Sequence, residues 1–159
     1  TCSHSTAVVI VDGSSAMLAH ARRAIEGAEL TDRVRLCHAV LPGVPLPAGA
    51  CDLVVSNSLL HHLHAPGVMW AEVTRLGRPG AGVAVMDLMR PDTIEEARAI
   101  VEHHAAREAE ILREDFFRSL CAAFTPDEVR GQLRAAGLAG FDVQGVSDRH
   151  MLVWGTLAK

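Results

Sequence analysis

Tyrosine is absent from the 159 residues, and aromatic side chains make up only 4% of them. Recognition of nucleic acid by base stacking needs aromatic platforms, so no such surface is expected. Basic charge is scarce as well. Fifteen Lys and Arg face nineteen Asp and Glu, a formal net charge of −4, where a nucleic-acid footprint needs a strongly positive face. The four cysteines (Cys2, Cys37, Cys51 and Cys121) are scattered, with no Cys-x-x-Cys pair. That spacing supports neither a disulfide framework nor a zinc set, and it suits a reduced, cytoplasmic chain. No apolar run approaches the roughly 20 residues that cross a bilayer, so neither a membrane span nor a leader is expected.

What is present is a core-forming composition, 49% hydrophobic and 21% charged. A chain of this length closes one hydrophobic core, and the expectation is a single domain over residues 1–159. Short apolar runs alternate with longer helical stretches, the pattern of βαβ units and a largely parallel sheet. Strands are expected at 7–11, 34–37, 52–57 and 83–88, and a final antiparallel pair at 141–146 and 150–156. Helices are expected from Ser14 or Ser15 to Glu26, from Pro66 to Leu76, and from Pro126 to Ala136. Residues 93–121 read as one long helical region, so a helical cover for a substrate is placed at about 91–124. Thr93 to Glu96 and Thr125 to Glu128 both fit a capping box, the second with Pro126 at the first helical position. Gly77-x-x-Gly80-x-Gly82 precedes a strand, whereas a dinucleotide fingerprint follows one, so it reads as a tight turn.

Three strands end in Asp12, Asn57 and Asp87. Polar residues at the carboxyl ends of parallel strands face the crevice where open sheets bind ligands, although an acid such as Asp12 also serves as an N-cap. Nine histidines are present, and His61, His62 and His64 cluster, as do His103 and His104. Adjacent histidines on a helix point to different faces and no second ligand set has zinc-type spacing, so no metal is expected. A general base is the better reading of His61 or His62, because imidazole titrates near neutral pH; the alternative is a capping and a half-buried histidine.

Val9-Ile10-Val11-Asp12-Gly13-Ser14, with Met17-Leu18 behind it, resembles the second strand and helix of class I S-adenosylmethionine-dependent methyltransferases of the type 11 and 12 kind. Leu41 to Leu63, with Asp52-Leu53-Val54-Val55-Ser56-Asn57 at its centre, is similar to their fourth strand and its approach. Arg75 to Gly82 resembles the turn before their fifth. The resemblance implies an α/β, Rossmann-like methyltransferase sheet, mostly parallel with an antiparallel C-terminal pair. It implies S-adenosylmethionine as cofactor and a small-molecule acceptor. By matching position, Asp12 is the ligand of the cofactor ribose, and Gly13 and Ser14 let the backbone approach the sugar. Met17 or Leu18 flanks the adenine. Asn57, Ser58 and Leu59 lie beside the methionine part, and His61 and His62 face the substrate opening as catalytic residues.

Two departures stand out. The family's first strand and its Gly-x-Gly-x-Gly loop have no counterpart in these residues, so the sheet is expected to be N-terminally truncated. The Gly-Asp that often follows the third strand is Ala39-Val40 here, leaving apolar packing from Val40 and Leu41 against the adenine. Two alternatives follow. One is a catalytically incompetent fragment or pseudoenzyme that binds a partner chain through its exposed sheet, by homo-oligomerisation or strand exchange. The other is a nucleotide-cofactor oxidoreductase, which also uses an acid after its second strand.

Overall fold

The computed structural model describes residues 7–159, and its contacts gather into two compact units, one ending at Leu46 and one running from Pro47 to Lys159. Cys2 lies outside the described residues.

The first unit is a βαβ element. β1 (Val8–Asp12) pairs in parallel with β2 (Val34–His38), with Val8 opposite Val34 and Asp12 opposite His38. Between them runs α1 (Ser15–Gly27). Its N-cap is Ser14, in extended conformation, whose hydroxyl accepts the Met17 N–H at 3.2 Å, so a short hydroxyl satisfies one of the orphan donors of the first turn. The cap is therefore Ser14 rather than Asp12. The helix includes Gly27 and stops one residue later, with Glu29 at φ 56° carrying the reversal.

The second unit opens with β3 (Cys51–Asn57), a single 3₁₀ turn at Leu60–His62, and α2 (Gly67–Leu76). β4 (Gly77–Leu88) follows, then α3 (Ile94–Ala105), α4 (Glu110–Ala122) and α5 (Pro126–Ala135). The chain ends with β5 (Asp142–Gly145) and β6 (His150–Thr156). Strand order is β3-β4-β6-β5. β3 and β4 are parallel; β6 inserts between β4 and β5 and is antiparallel to both.

One face of this sheet is covered. Val83, Val85, Met151, Val153 and Val143 point into a core shared with Met69, Trp70 and Val73 of α2 and Val129 and Leu133 of α5, all nearly or fully buried. Each such aliphatic side chain contributes about 1.5–3 kcal/mol on burial. The opposite face carries Leu53, Val55 and Met86, which are 59%, 64% and 40% exposed. Alternation along each strand puts these two sets on opposite sides.

Three sequence expectations are corrected. Residues 77–82 are not a turn outside the sheet: Gly77 already pairs with Cys51, and the ladder resumes at Leu53 opposite Gly82, so residues 78–81 bulge out within β4. Gly80 takes φ 81° there, and a Cβ on Gly77 would sit 2.4 Å from Leu157 Cδ1. The helical region 93–121 is two helices, broken at 106–109, because folding back buries Val101, Ala105, Leu120 and Ala123 with Leu88 in one cluster. Phe116 and Phe117 pack partly buried against that cluster. The α3 cap is half of the expected box: Thr93 accepts the Glu96 N–H, but the Glu96 carboxylate takes the N–H of Asp92. At α5 the box is complete, Thr125 and Glu128 each accepting the other's backbone N–H.

Candidate active site

In the first unit the predicted residues meet at the carboxyl end of β1. Asp12 Oδ1 accepts the Ser14 N–H at 2.6 Å, which turns the chain sharply into α1. Asp12 Oδ2 has no hydrogen-bond partner among the described residues. The loop is tied to the end of β2: the Asp12 carbonyl accepts the Ala39 N–H, and His38 Nε2 donates to the Gly13 carbonyl at 2.9 Å. Gly13 lies so close to Val40 that a Cβ would meet Val40 Cγ1 at 2.9 Å. Asp12, Gly13, Ser14 and Val40 thus form one cradle. Met17 is 57% exposed on the first turn of α1, Val40 is 70% exposed, and Leu41 is half-buried. His38 is a residue the sequence reading did not single out, although it ends the strand directly opposite Asp12.

In the second unit Asn57 ends β3, and the loop after it holds Ser58 and Leu59. Ser58 sits at φ 53°, a left-handed conformation costing a non-glycine residue about 1–2 kcal/mol, and its N–H donates to the Met86 carbonyl. Such strain persists only where surrounding structure enforces it, and it clusters at functional sites.

The turn that follows Ser58 is anchored on Asp87, 1% exposed at the end of β4. Its Oδ2 accepts the Leu60 N–H at 2.7 Å, and its Oδ1 accepts the His61 N–H, its own following N–H at Leu88, and His61 Nδ1 at 2.6 Å. Burial opposes ionisation of this carboxyl. The hydrogen bond and charge of His61 and the N–H groups of Leu60 and Leu88 overcome that penalty and hold it below the usual carboxylate range. The sequence reading noted Asp87 as a strand-end acid but gave it no role. No short-range signal links it to a histidine 26 positions earlier.

The two histidines expected at the opening part company. His61 is turned inward onto Asp87, with 5% of its side chain exposed, while His62 is exposed. Their rings lie 3.9 Å apart between centroids. Desolvation, then the neighbouring His61, holds the His62 imidazole below its ordinary value, with Asp87 pulling weakly the other way. A neutral imidazole at pH 7 results.

A second polar group lies on the turn between β5 and β6. His104 Nε2 on α3 lies 2.7 Å from Asp148 Oδ2, Arg149 donates to Asp148, and the Ser147 hydroxyl is 3.2 Å from His150 Nδ1. Among the described residues no three His, Cys, Asp or Glu side chains are placed to hold a metal ion, and no helix is long and apolar enough to cross a membrane.

Comparison with known proteins follows the same lines. An uncharacterized Escherichia coli protein, YafE, is 34% identical over 86 residues, 54% of this chain. The match covers 41% of YafE, so the chain corresponds to about two fifths of that relative's length. The crystal structure of a SAM-dependent methyltransferase from Aquifex aeolicus superposes on 98% of this chain and 71% of its own with a TM-score of 0.70 at 17% identity. That of YcgJ from Bacillus subtilis covers 97% and 83% with a TM-score of 0.67 at 12% identity. These likenesses establish the α/β, Rossmann-like methyltransferase fold. Residues 2–85, over half of the chain, match the family profile described as a methyltransferase domain. The oxidoreductase alternative falls with that match: this chain belongs to the methyltransferase domain family.

Proposed function

We propose that the chain binds S-adenosylmethionine, the family's methyl donor, and serves methyl transfer to a small-molecule acceptor. The observation that carries this reading is the cradle at the end of β1. One oxygen of Asp12 is pinned by Ser14 and the other is open, beside a glycine on which a Cβ would press against the Val40 side chain. A carboxylate with a free oxygen at a strand's carboxyl end suits a ribose diol, through a charge-assisted hydrogen bond of the stronger kind.

The remaining positions divide the work. Met17, Val40 and Leu41 offer apolar surface to the adenine, and Asn57, Ser58 and Leu59 hold the methionine part. His61 and His62 take up the acceptor's proton. The bound cofactor supplies an electrophilic methyl group on a sulfonium. The chain's own task is then orientation and proton removal, which is why no fixed nucleophile is needed. Helices α3 and α4 cover the acceptor, and the free Cys37, Cys51 and Cys121 suit a reducing, cytoplasmic setting.

Titration calorimetry with S-adenosylmethionine tests the reading. Binding by the wild-type chain is expected, with affinity falling about 10- to 100-fold in Asp12→Ala, the worth of one charged hydrogen bond. No binding at millimolar cofactor, or an unchanged affinity in the variant, overturns it.

A second reading rests on the bare face of β3 and β4. Leu53, Val55 and Met86 form an exposed apolar row, and β3 pairs on one edge only among the described strands. Such an edge is a template for strand addition, and a second copy of the chain would supply the strand. Sedimentation of the wild type against Val55→Lys separates the readings: association that the lysine abolishes supports it, and a monomer at high concentration sinks it.

A further inference from the structure

The geometry points to Asp87 as a positioning residue that holds His61 with an open Nε2 lone pair, making His61 the proton acceptor for a weakly acidic hydroxyl of phenol or enol type. This rests on the methyl-transfer reading above. A carboxylate only accepts hydrogen bonds, so the 2.6 Å contact puts a proton on His61 Nδ1. In a neutral imidazole the other nitrogen is then the acceptor. His61 Nε2 has no hydrogen-bond partner among the described residues, and the His61 side chain keeps 5% of its surface exposed.

The rest of Asp87 is locked. Backbone N–H groups of Leu60, His61 and Leu88 occupy the carboxylate, so it cannot swing away from Nδ1. The same bonds seat the 3₁₀ turn on the end of β4, next to the strained Ser58. Orientation and tautomer are therefore fixed before any ligand arrives, which is what a general base requires.

The proton step balances simply. The acceptor's O–H bond breaks, its electron pair stays on oxygen, and the proton passes to Nε2. His61 becomes an imidazolium whose charge the Asp87 carboxylate offsets at Nδ1, and the oxygen is left as the nucleophile. Imidazole titrates near neutral pH and a phenol at about 10, a gap that a base in contact can bridge ahead of attack; an aliphatic alcohol gives up its proton only in concert with attack. Thioether acceptors carry no such proton and gain nothing from the dyad.

Two measurements test this. Nitrogen-15 NMR of the ligand-free chain at alkaline pH, where imidazoles are neutral, is expected to show the His61 proton on Nδ1 and a bare Nε2, with Asp87→Asn moving the proton to Nε2. A wild-type ring protonated at Nε2 overturns the proposal. Methyl transfer is then assayed over phenols of graded acidity, with benzoate and a thioether for comparison. Asp87→Asn is expected to lose roughly 100-fold or more in kcat on phenols that are neutral at the assay pH, with KM little changed, and less than about threefold on 4-nitrophenol above its own pKa. Equal losses on both kinds of phenol reduce Asp87 to a structural role and overturn it, as does wild-type turnover of the thioether or benzoate but not the phenols. A chain that binds no S-adenosylmethionine refutes methyl transfer itself, and that outcome is read by calorimetry alone.

Discussion

Trp70 donates its indole N–H to the Gln132 side-chain oxygen at 3.0 Å, tying α2 to α5 across the covered face of the second sheet. Trp70 is fully buried, so this donor has no water to fall back on. Trp70→Ala is expected to cost about 3–5 kcal/mol, and Gln132→Leu about 1–3 kcal/mol through the stranded indole N–H. Urea denaturation measures both. A Gln132→Leu variant as stable as wild type would mean that the bond contributes nothing.

Removing Asp87 outright leaves several buried donors without an acceptor. Asp87→Ala is expected to lose about 3–5 kcal/mol, with Asp87→Asn losing less because its amide oxygen still accepts from backbone. Hydrogen exchange at Leu60, His61 and Leu88 locates the damage, and it should rise there before it rises in α5.

Acid should weaken the protein in two stages. The folded values of His62 and His150 lie below the ordinary 6.5, both lowered first by desolvation, so the unfolded chain takes up protons sooner as pH falls through that value. Stability is expected to decline from there. Asp87, depressed below 3.8, contributes stability that is complete above that value and is lost as pH falls further toward the folded one. Thermal scans of His62→Gln/His150→Gln should show a smaller first decline, and scans of Asp87→Asn a smaller second one. The remainder of the second rests on Glu128 and Asp148, also held below their ordinary values by their hydrogen bonds.

Two glycines separate backbone demand from side-chain demand. A Cβ on Gly77 meets Leu157 Cδ1, Ala81 Cβ and the Val73 carbonyl at 2.4, 3.2 and 3.3 Å, in a buried corner. Gly77→Ala is expected to cost about 1–3 kcal/mol by overpacking. Gly13→Ala meets the tip of the exposed Val40, which can turn aside, and touches the Ala39 carbonyl at an ordinary 3.7 Å. It should leave thermal stability nearly unchanged while weakening cofactor binding. Tm and calorimetry on the two variants check the contrast.

What the sequence discloses follows the range of the forces involved. Ser14, Thr93 and Thr125 act within three residues of themselves, so the helix starts are legible from spacing alone. The strand ends at Asp12, Asn57 and Asp87 are legible because apolar runs stop there. The break at 106–109 is not, since Ala-Ala-Arg-Glu-Ala has strong helix propensity and only burial against Leu88 and Leu120 overrides it. The insertion of β6 between β4 and β5, and the grip of Asp87 on His61, are contacts between distant positions that no local pattern encodes.

The two faces of the second sheet give the chain its own optical reporter. With no tyrosine, near-ultraviolet emission comes from two tryptophans, Trp70 and Trp154. Trp70 sits in the covered core, whereas Trp154 is half-buried in the cross-strand row Val55–Ala84–Trp154 on the bare side. Trp154→Phe isolates a blue, quencher-resistant signal that follows unfolding. Trp70→Phe isolates a redder one, open to acrylamide, whose blue shift would register anything that comes to lie over that row.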